Sequence, residues 1–364
     1  GALQLPLPPT RSRALNGRLR MGIFGGDGVD KGFDILGKSG KVVPQGALVS
    51  TAKESWKFVW KRFMAELAPQ DKSGTYSRPS YAFGGTIGTP AFPVESGRYH
   101  LYLGNPCPWC HRVSLVVALR KLGPHISSSR LVDDPTKAKR GGWCFSRERP
   151  DPIFGASDLF DVYNKLSPNF EGRCTAPLLI DKKTGTAVSN ESGDILKMLN
   201  AVDFEEGSGA GAVELRPEAL VDEIEAASDW IYRELNNGVY RCGFSTTQAA
   251  YDLASTDVLS ALNKLEAILA ESQFIVGDKL TEADVRALPT LLRFDAAYSV
   301  LFRAGGGMKK LRDYPAVDAY VKRAWCVPGV RSTIDLEDAW SSYYRQLFPL
   351  NPGGLVPTLP AARD

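Results

Sequence analysis

The period of hydrophobic and polar positions changes along the chain and divides it into segments. Residues 1 to about 50 lack hydrophobic periodicity and are rich in Pro, Gly and Arg, which predicts a flexible N-terminal extension. Thr51-Ala-Lys-Glu54 is a capping-box pattern, followed at helical spacing by Trp56, Val59, Trp60, Phe63 and Leu67. Lys53, Lys57, Lys61 and Arg62 fill much of the other face. A basic amphipathic helix can lie on a membrane surface, but the expectation is that both Trp dock on the body of the protein. This helix and a connecting segment account for residues 51–96.

From residue 97 to 205 the texture is α/β. Arg98 to Leu103 alternates as a strand, Arg112 to Leu122 has a helical pattern, and Arg130 to Asp133 is a candidate second strand. Ala176 to Ile180 is a short buried-type strand, and Thr186 to Val188 pairs with it across the Asp181 to Gly185 turn. Asn190-Glu-Ser192 then opens a helix to about Leu199. Glu206 to Ala212 is Gly-rich and predicts a linker. Residues 213–360 are almost wholly helical in pattern. Val258, Leu262, Leu265 and Leu269 share a face, and Thr281-Glu-Ala-Asp284 is a second capping box with Leu280 as its staple.

Length and charge narrow the function classes. The 364 residues suit two or three domains, each able to bury a core. With 44 Lys+Arg against 41 Asp+Glu, the net charge of +3 gives no electrostatic case for nucleic acid. The longest apolar run, Val113 to Leu119, is far too short for a membrane span. Three His make a histidine metal site hard to build, so no metal is expected. Arg11, Arg13, Arg18 and Arg20 all precede the first acidic residue, Asp27. An Arg-rich, acid-poor start is similar to the remnant of a transit segment to the chloroplast or another organelle, although an ordinary tail looks the same.

The chemistry lies among six cysteines. Cys144, Cys174, Cys242 and Cys326 are scattered singly, as isolated thiols rather than a disulfide framework. Cys107-Pro108-Trp109-Cys110 is a C-x-x-C motif directly after a predicted strand. Zinc would need a second ligand pair, and none follows. That leaves redox chemistry as the better reading. Pro108 suits the first helical position, placing Cys107 where unpaired backbone N–H groups and the helix dipole favour a thiolate. Cys107 is the expected nucleophile. Cys110, one turn on, either resolves a mixed disulfide on Cys107 or fills space like an Ala. A βαβ…ββα order with this motif at the first helix start is the thioredoxin-like arrangement. Ala176-Pro177 sits where such folds carry a cis-proline, or is an ordinary strand-start Pro. Glu191 and Ser192 are either a plain helix cap or a receptor for a ligand bearing an ammonium and a carboxylate.

Glutathione has that pair in its γ-glutamyl end, and the motifs resemble one family, the xi-class glutathione transferases or glutathionyl-hydroquinone reductases, relatives of the omega class. Its markers are Gly-Arg-Tyr-His-Leu-Tyr (97–102), Cys-Pro-Trp (107–109), Gly-Trp-x-Phe (142–145) and Ser-Pro-Asn-Phe-Glu-Gly-Arg (167–173). Asn-Glu-Ser (190–192), Asn-Asn-Gly-Val-Tyr (236–240), Leu-Thr-Glu-Ala-Asp (280–284), Arg-Phe-Asp-x-x-Tyr (293–298) and Asn-Pro-x-Gly-Leu-Val-Pro (351–357) follow in order. The resemblance implies a thioredoxin-like domain followed by an all-α domain, with glutathione as co-substrate, an aromatic or quinone-type acceptor, and a homodimer. It makes Cys107 the residue that forms a mixed disulfide with glutathione. Trp143, the Ala176 backbone beside Pro177, Glu191 and Ser192 would hold glutathione, and Tyr240 and Tyr298 would line the acceptor pocket, unless these tyrosines only pack helices. Three departures stand out. Cys110 replaces the family's usual Ala, Leu301 lies near the place of its His, and Ser342-Tyr343-Tyr344 replaces His-Tyr-Tyr. The expected reaction removes glutathione from a glutathionyl-hydroquinone. The alternatives are a dithiol disulfide or dehydroascorbate-type reductase, and a non-catalytic ligand-binding or scaffold subunit.

Overall fold

Pro44 starts the first helix, α1 (Gln45–Leu67), since its carbonyl accepts from the Ala47 N–H. The helix therefore begins a turn and a half before the Thr51 capping box, which falls inside it. The computed structural model describes residues 44–78, 81–204 and 212–358. The Arg-rich start and all of the Gly-rich linker but Ala212 lie outside the described residues. The chain divides into two compact units, Gly1–Phe58 and Val59–Asp364. In the second unit Trp60 donates its indole N–H to Pro349 O at 3.1 Å, Phe63 meets Phe348 edge to face and Met64 is buried. Trp60 thus docks as expected, while Trp56 belongs to the first unit.

The second unit is built on a mixed five-stranded sheet in which Trp143–Cys144 (β3), Ile126–Asp133 (β2), Tyr99–Gly104 (β1), Leu178–Asp181 (β4) and Thr186–Ser189 (β5) lie side by side in that order. Strand β1 (Tyr99–Gly104) leads through α2 (Pro108–Leu119) to β2 (Ile126–Asp133), which runs parallel to it with Tyr99 opposite Ile126. This is the βαβ crossover. β2 is longer than Arg130 to Asp133, taking in the Ser127-Ser128-Ser129 run that resembles a loop. The hydroxyls of Ser127 and Ser129 bond the two ring nitrogens of buried His100 on β1, so pairing overrides weak strand propensity. α2 starts at Pro108, the expected first helical position, four residues ahead of the Arg112 to Leu122 pattern. It ends at Leu119, and Lys121 has a positive φ. β3 (Trp143–Cys144) and α3 (Leu159–Leu166), capped by Asp158, complete this part and carry too short a pattern to stand out in sequence. β4 (Leu178–Asp181) runs antiparallel to β1, β5 (Thr186–Ser189) follows, and α4 (Ser192–Ala201) has Glu191 as N-cap.

Strand alternation sends Leu101 and Leu179 to one face, against Val113 and Val116 of α2 and Ile195 and Leu199 of α4. Tyr102, Leu178 and Ile180 go to the other face, against Leu159, Val162 and Tyr163 of α3. The first of these cores continues into the helical half. Helices α5 (Val221–Trp230), α6 (Asn237–Phe244), α7 (Gln248–Glu271), α8 (Glu282–Arg293), α9 (Pro315–Trp325) and α10 (Leu336–Gln346) surround it. Val258, Leu262, Leu265 and Leu269 are all buried, and the Thr281/Asp284 capping box opens α8, the most buried helix among those described. A π-helical turn, Phe294–Tyr298, follows α8 directly and buries Tyr298 against Tyr240, Phe302 and Tyr343. The fold is a thioredoxin-like α/β layer joined to an all-α layer through one apolar core.

Candidate active site

Cys107 caps α2 with extended backbone, and Pro108 fills the first helical position. Its sulfur lies 3.6 Å from Ala176 O. Burial pushes the thiol up. Hydrogen bonds from the Cys110 thiol and from the Cys110 and Trp109 amides, together with the Arg293 charge, more than offset this and bring it down to about 7. Cys110 moves the other way. Burial holds its thiol well above the ordinary value, and so does the neighbouring Cys107. Cys107 is thus the more readily ionised sulfur of the pair, and Cys110 keeps its proton and donates it in a hydrogen bond.

The two basic residues beside the dithiol point elsewhere. His111 is buried, its Nδ1 bonded by Arg293 Nη1 at 3.0 Å and its Nε2 by Thr333 Oγ1 at 2.9 Å. Burial and the Arg293 charge hold it neutral, so the proton sits on Nε2 and the ring is no base for Cys107. Arg112 donates to Ser192 Oγ at 2.6 Å and to Glu191 Oε1 at 3.2 Å. Arg293 is the cation under the site. From the end of α8 it donates to Asn105 O and Pro106 O, shaping the loop that leads into Cys107.

The Ala176–Pro177 bond is cis, as the thioredoxin-like pattern predicts. Glu191 accepts the Gly193 N–H through Oε1, while its Oε2 is buried without a hydrogen-bond partner among the described residues. Trp143 enters the cleft from β3 because Gly104 has no side chain. A Cβ at 104 would overlap its ring. Cys107, Trp143, Ala176 and Pro177 line one cleft of about 880 Å³, whereas Cys110, Glu191 and Ser192 are not among its lining residues.

The far wall is aromatic. Tyr240, Tyr298 and Tyr343 share a hydroxyl cluster, with oxygens 2.7 Å apart for Tyr298 and Tyr343, 3.0 Å for Tyr240 and Tyr343, and 3.4 Å for Tyr240 and Tyr298. Burial raises the pKa of all three. Tyr240 stacks on Trp109 at 6.2 Å and faces the cleft with Tyr343, whereas Tyr298 is fully buried behind them. Sequence reasoning passed over Tyr343, whose only signal was its place in the altered Ser342-Tyr343-Tyr344 run. Ser342 instead binds the Asp133 carboxyl, which burial raises to about 6. Arg78, which carries no motif of its own, was also passed over, and Trp109 was read only as part of the Cys-Pro-Trp-Cys motif.

Models of the glutathione S-transferase N-terminal and C-terminal domains match residues 106–202 and 248–323. The chain is 37% identical over 276 residues to glutathionyl-hydroquinone reductase YqjG of Escherichia coli K12, covering 75% of this chain and 82% of that protein. It belongs to the xi-class glutathione transferases. Glutathionyl-hydroquinone reductase PcpF of Sphingobium chlorophenolicum is 40% identical, over 74% of this chain and 85% of its own. Two solved structures agree. The xi glutathione transferase of Phanerochaete chrysosporium superposes with a TM-score of 0.72 at 33% identity, over 79% of this chain and 98% of its own. Glutathione-bound E. coli YqjG does so with a TM-score of 0.71 at 34% identity, over 78% of this chain and 94% of its own. The xi-class chain is therefore an enzyme of the glutathione transferase superfamily, with the expected two-layer fold.

Proposed function

We propose that the protein is a glutathione-dependent reductase acting on glutathionyl-hydroquinones. The observation that carries this is a thiol brought to about 7, facing tyrosine hydroxyls across an aromatic cleft. The reductase names of the relatives and the glutathione held by one of them support it. Cys107 thiolate attacks the sulfur of the glutathionyl aromatic. The S–C bond breaks, its electron pair passes to the ring carbon, and that carbon takes a proton to give the hydroquinone. Tyr240 and Tyr343 donate to the ring oxygens as charge develops on them. Cys107 is left as a mixed disulfide with glutathione. A second glutathione thiolate attacks that disulfide, forming glutathione disulfide and restoring the Cys107 thiolate.

Cys110 supports a second reading. Its thiol is hydrogen-bonded to Cys107, which supports a role in displacing glutathione to form a Cys107–Cys110 disulfide, the chemistry of a dithiol disulfide or dehydroascorbate-type reductase. Mass spectrometry after reaction with glutathionyl-menadione separates the two readings. A Cys107–glutathione adduct and hydroquinone are the expected products, and Cys107→Ser should give neither. Turnover by Cys107→Ser at the wild-type rate would sink both. A homodimer and an organellar location are proposed with this function, the first on family resemblance and the second on the Arg-rich, acid-poor N-terminus. Sedimentation and localisation of a tagged full chain test them.

A further inference from the structure

The stretch between α1 and β1 lies ahead of the matched N-terminal domain, yet it lines the candidate active-site cleft with Tyr76, Arg78 and Tyr81 among others. Arg78 lines the cleft together with Cys107, Trp109 and Trp143. Its guanidinium lies 3.8 Å above the Trp109 ring, and Nη2 is 3.8 Å from Glu191 Oε2, too long for a hydrogen bond. Its side chain is 16% exposed. Arg78 Nη1 and Glu191 Oε2 are both buried without a hydrogen-bond partner among the described residues.

Buried charged atoms are seldom left unbonded, because each loses its hydration without compensation. Here a spare donor and a spare acceptor stand side by side. The rest of Glu191 is occupied, since Oε1 takes the Gly193 N–H and Arg112. Stacking on Trp109 explains the position of the Arg78 plane but leaves its outer edge unused. An α-amino acid head carries an ammonium and a carboxylate on one carbon, so it needs an acceptor next to a donor. The positive end of α4 at the same spot adds to the preference for a carboxylate.

We infer that Arg78 binds the α-carboxylate of the γ-glutamyl residue of glutathione, beside the Glu191 carboxylate that takes its ammonium. The segment before the thioredoxin-like layer thereby completes the glutathione site and selects a γ-glutamyl thiol over a plain cysteinyl one. This rests on the reading that glutathione occupies the cleft.

The test compares binding of glutathione with that of 4-aminobutyryl-Cys-Gly, which keeps the amine and thiol but lacks the α-carboxylate. Calorimetry on wild type, Arg78→Met and Arg78→Lys gives the preference ratio for each. Met keeps the stem on Trp109 and removes the charge. The ratio is expected to fall about tenfold in Arg78→Met, through loss of one charge-assisted bond, and to recover in part in Arg78→Lys. An unchanged ratio in Arg78→Met overturns the inference. If that variant does not fold, Arg78→Gln is read by the same criterion. Failure of wild type to bind glutathione or form a Cys107 adduct would instead overturn the reading of the cleft itself.

Discussion

The Cys107 thiol is lowered by donors that converge on its sulfur rather than by the cations next to it in sequence. Arg112 and His111 are adjacent to the motif, but both are tied to other partners. The Cys110 thiol is the strongest of the lowering influences on Cys107. Replacing it with Ala is a small change in volume and removes that bond. Cys110→Ala should therefore raise the Cys107 pKa above 7. Iodoacetamide alkylation followed against pH should show the half-rate point moving to higher pH. Turnover at saturating glutathione also separates roles, since a resolving Cys110 slows turnover when lost. Tyr343 is the residue for the acceptor side. Tyr343→Phe should leave Cys107 glutathionylation by glutathione disulfide nearly intact. Hydroquinone release should slow on the order of a hundredfold, the usual cost of one donor to a developing oxyanion, as stopped-flow absorbance would show.

Among the elements, α2 and the strand before it set the geometry. Pro108 starts the helix one residue after Cys107, and this was legible because proline's missing N–H costs nothing there. Gly104 at the end of β1 is different. Its requirement comes from the Trp143 ring, a residue far along the chain. Gly104→Ala should displace Trp143 and destabilise the protein by roughly 1–3 kcal/mol, as overpacking does. Urea denaturation measures the stability, and calorimetry with glutathione should show weaker binding. The amphipathic period of α7 and the Thr281/Asp284 box of α8 read directly from sequence, because local spacing alone decides them. β2 did not read so, since its serines become strand only by pairing with β1 and bonding His100.

For the whole molecule, burial makes stability depend on pH in a way that tests the site. The Cys107 pKa lies near 7 in the folded protein against an ordinary 9.0, so the unfolded chain binds more protons between these values. Its contribution to stability is fully present above about pH 9 and is lost as pH falls through 7. The Asp133 carboxyl has the opposite sign. Its pKa is raised from 3.8 to about 6, so its contribution is present below 3.8 and is lost as pH rises through 6. Melting curves from pH 6.5 to 9 should show wild type gaining stability over Cys107→Ser as pH rises, and parallel curves would contradict the lowered pKa. The cysteine pair at a helix start, the helix start at Glu191-Ser192 and the order of layers were legible in the sequence, because each follows from local spacing and backbone chemistry. The cis form of Ala176–Pro177 decided an alternative that the sequence left open. Only the tertiary structure decided that Arg293 rather than Arg112 lies beneath Cys107, that Tyr343 joins Tyr240 at the cleft, and that Arg78 returns to Trp109. These depend on contacts between distant segments, and the direction of a long side chain is set by the partners that folding brings to it.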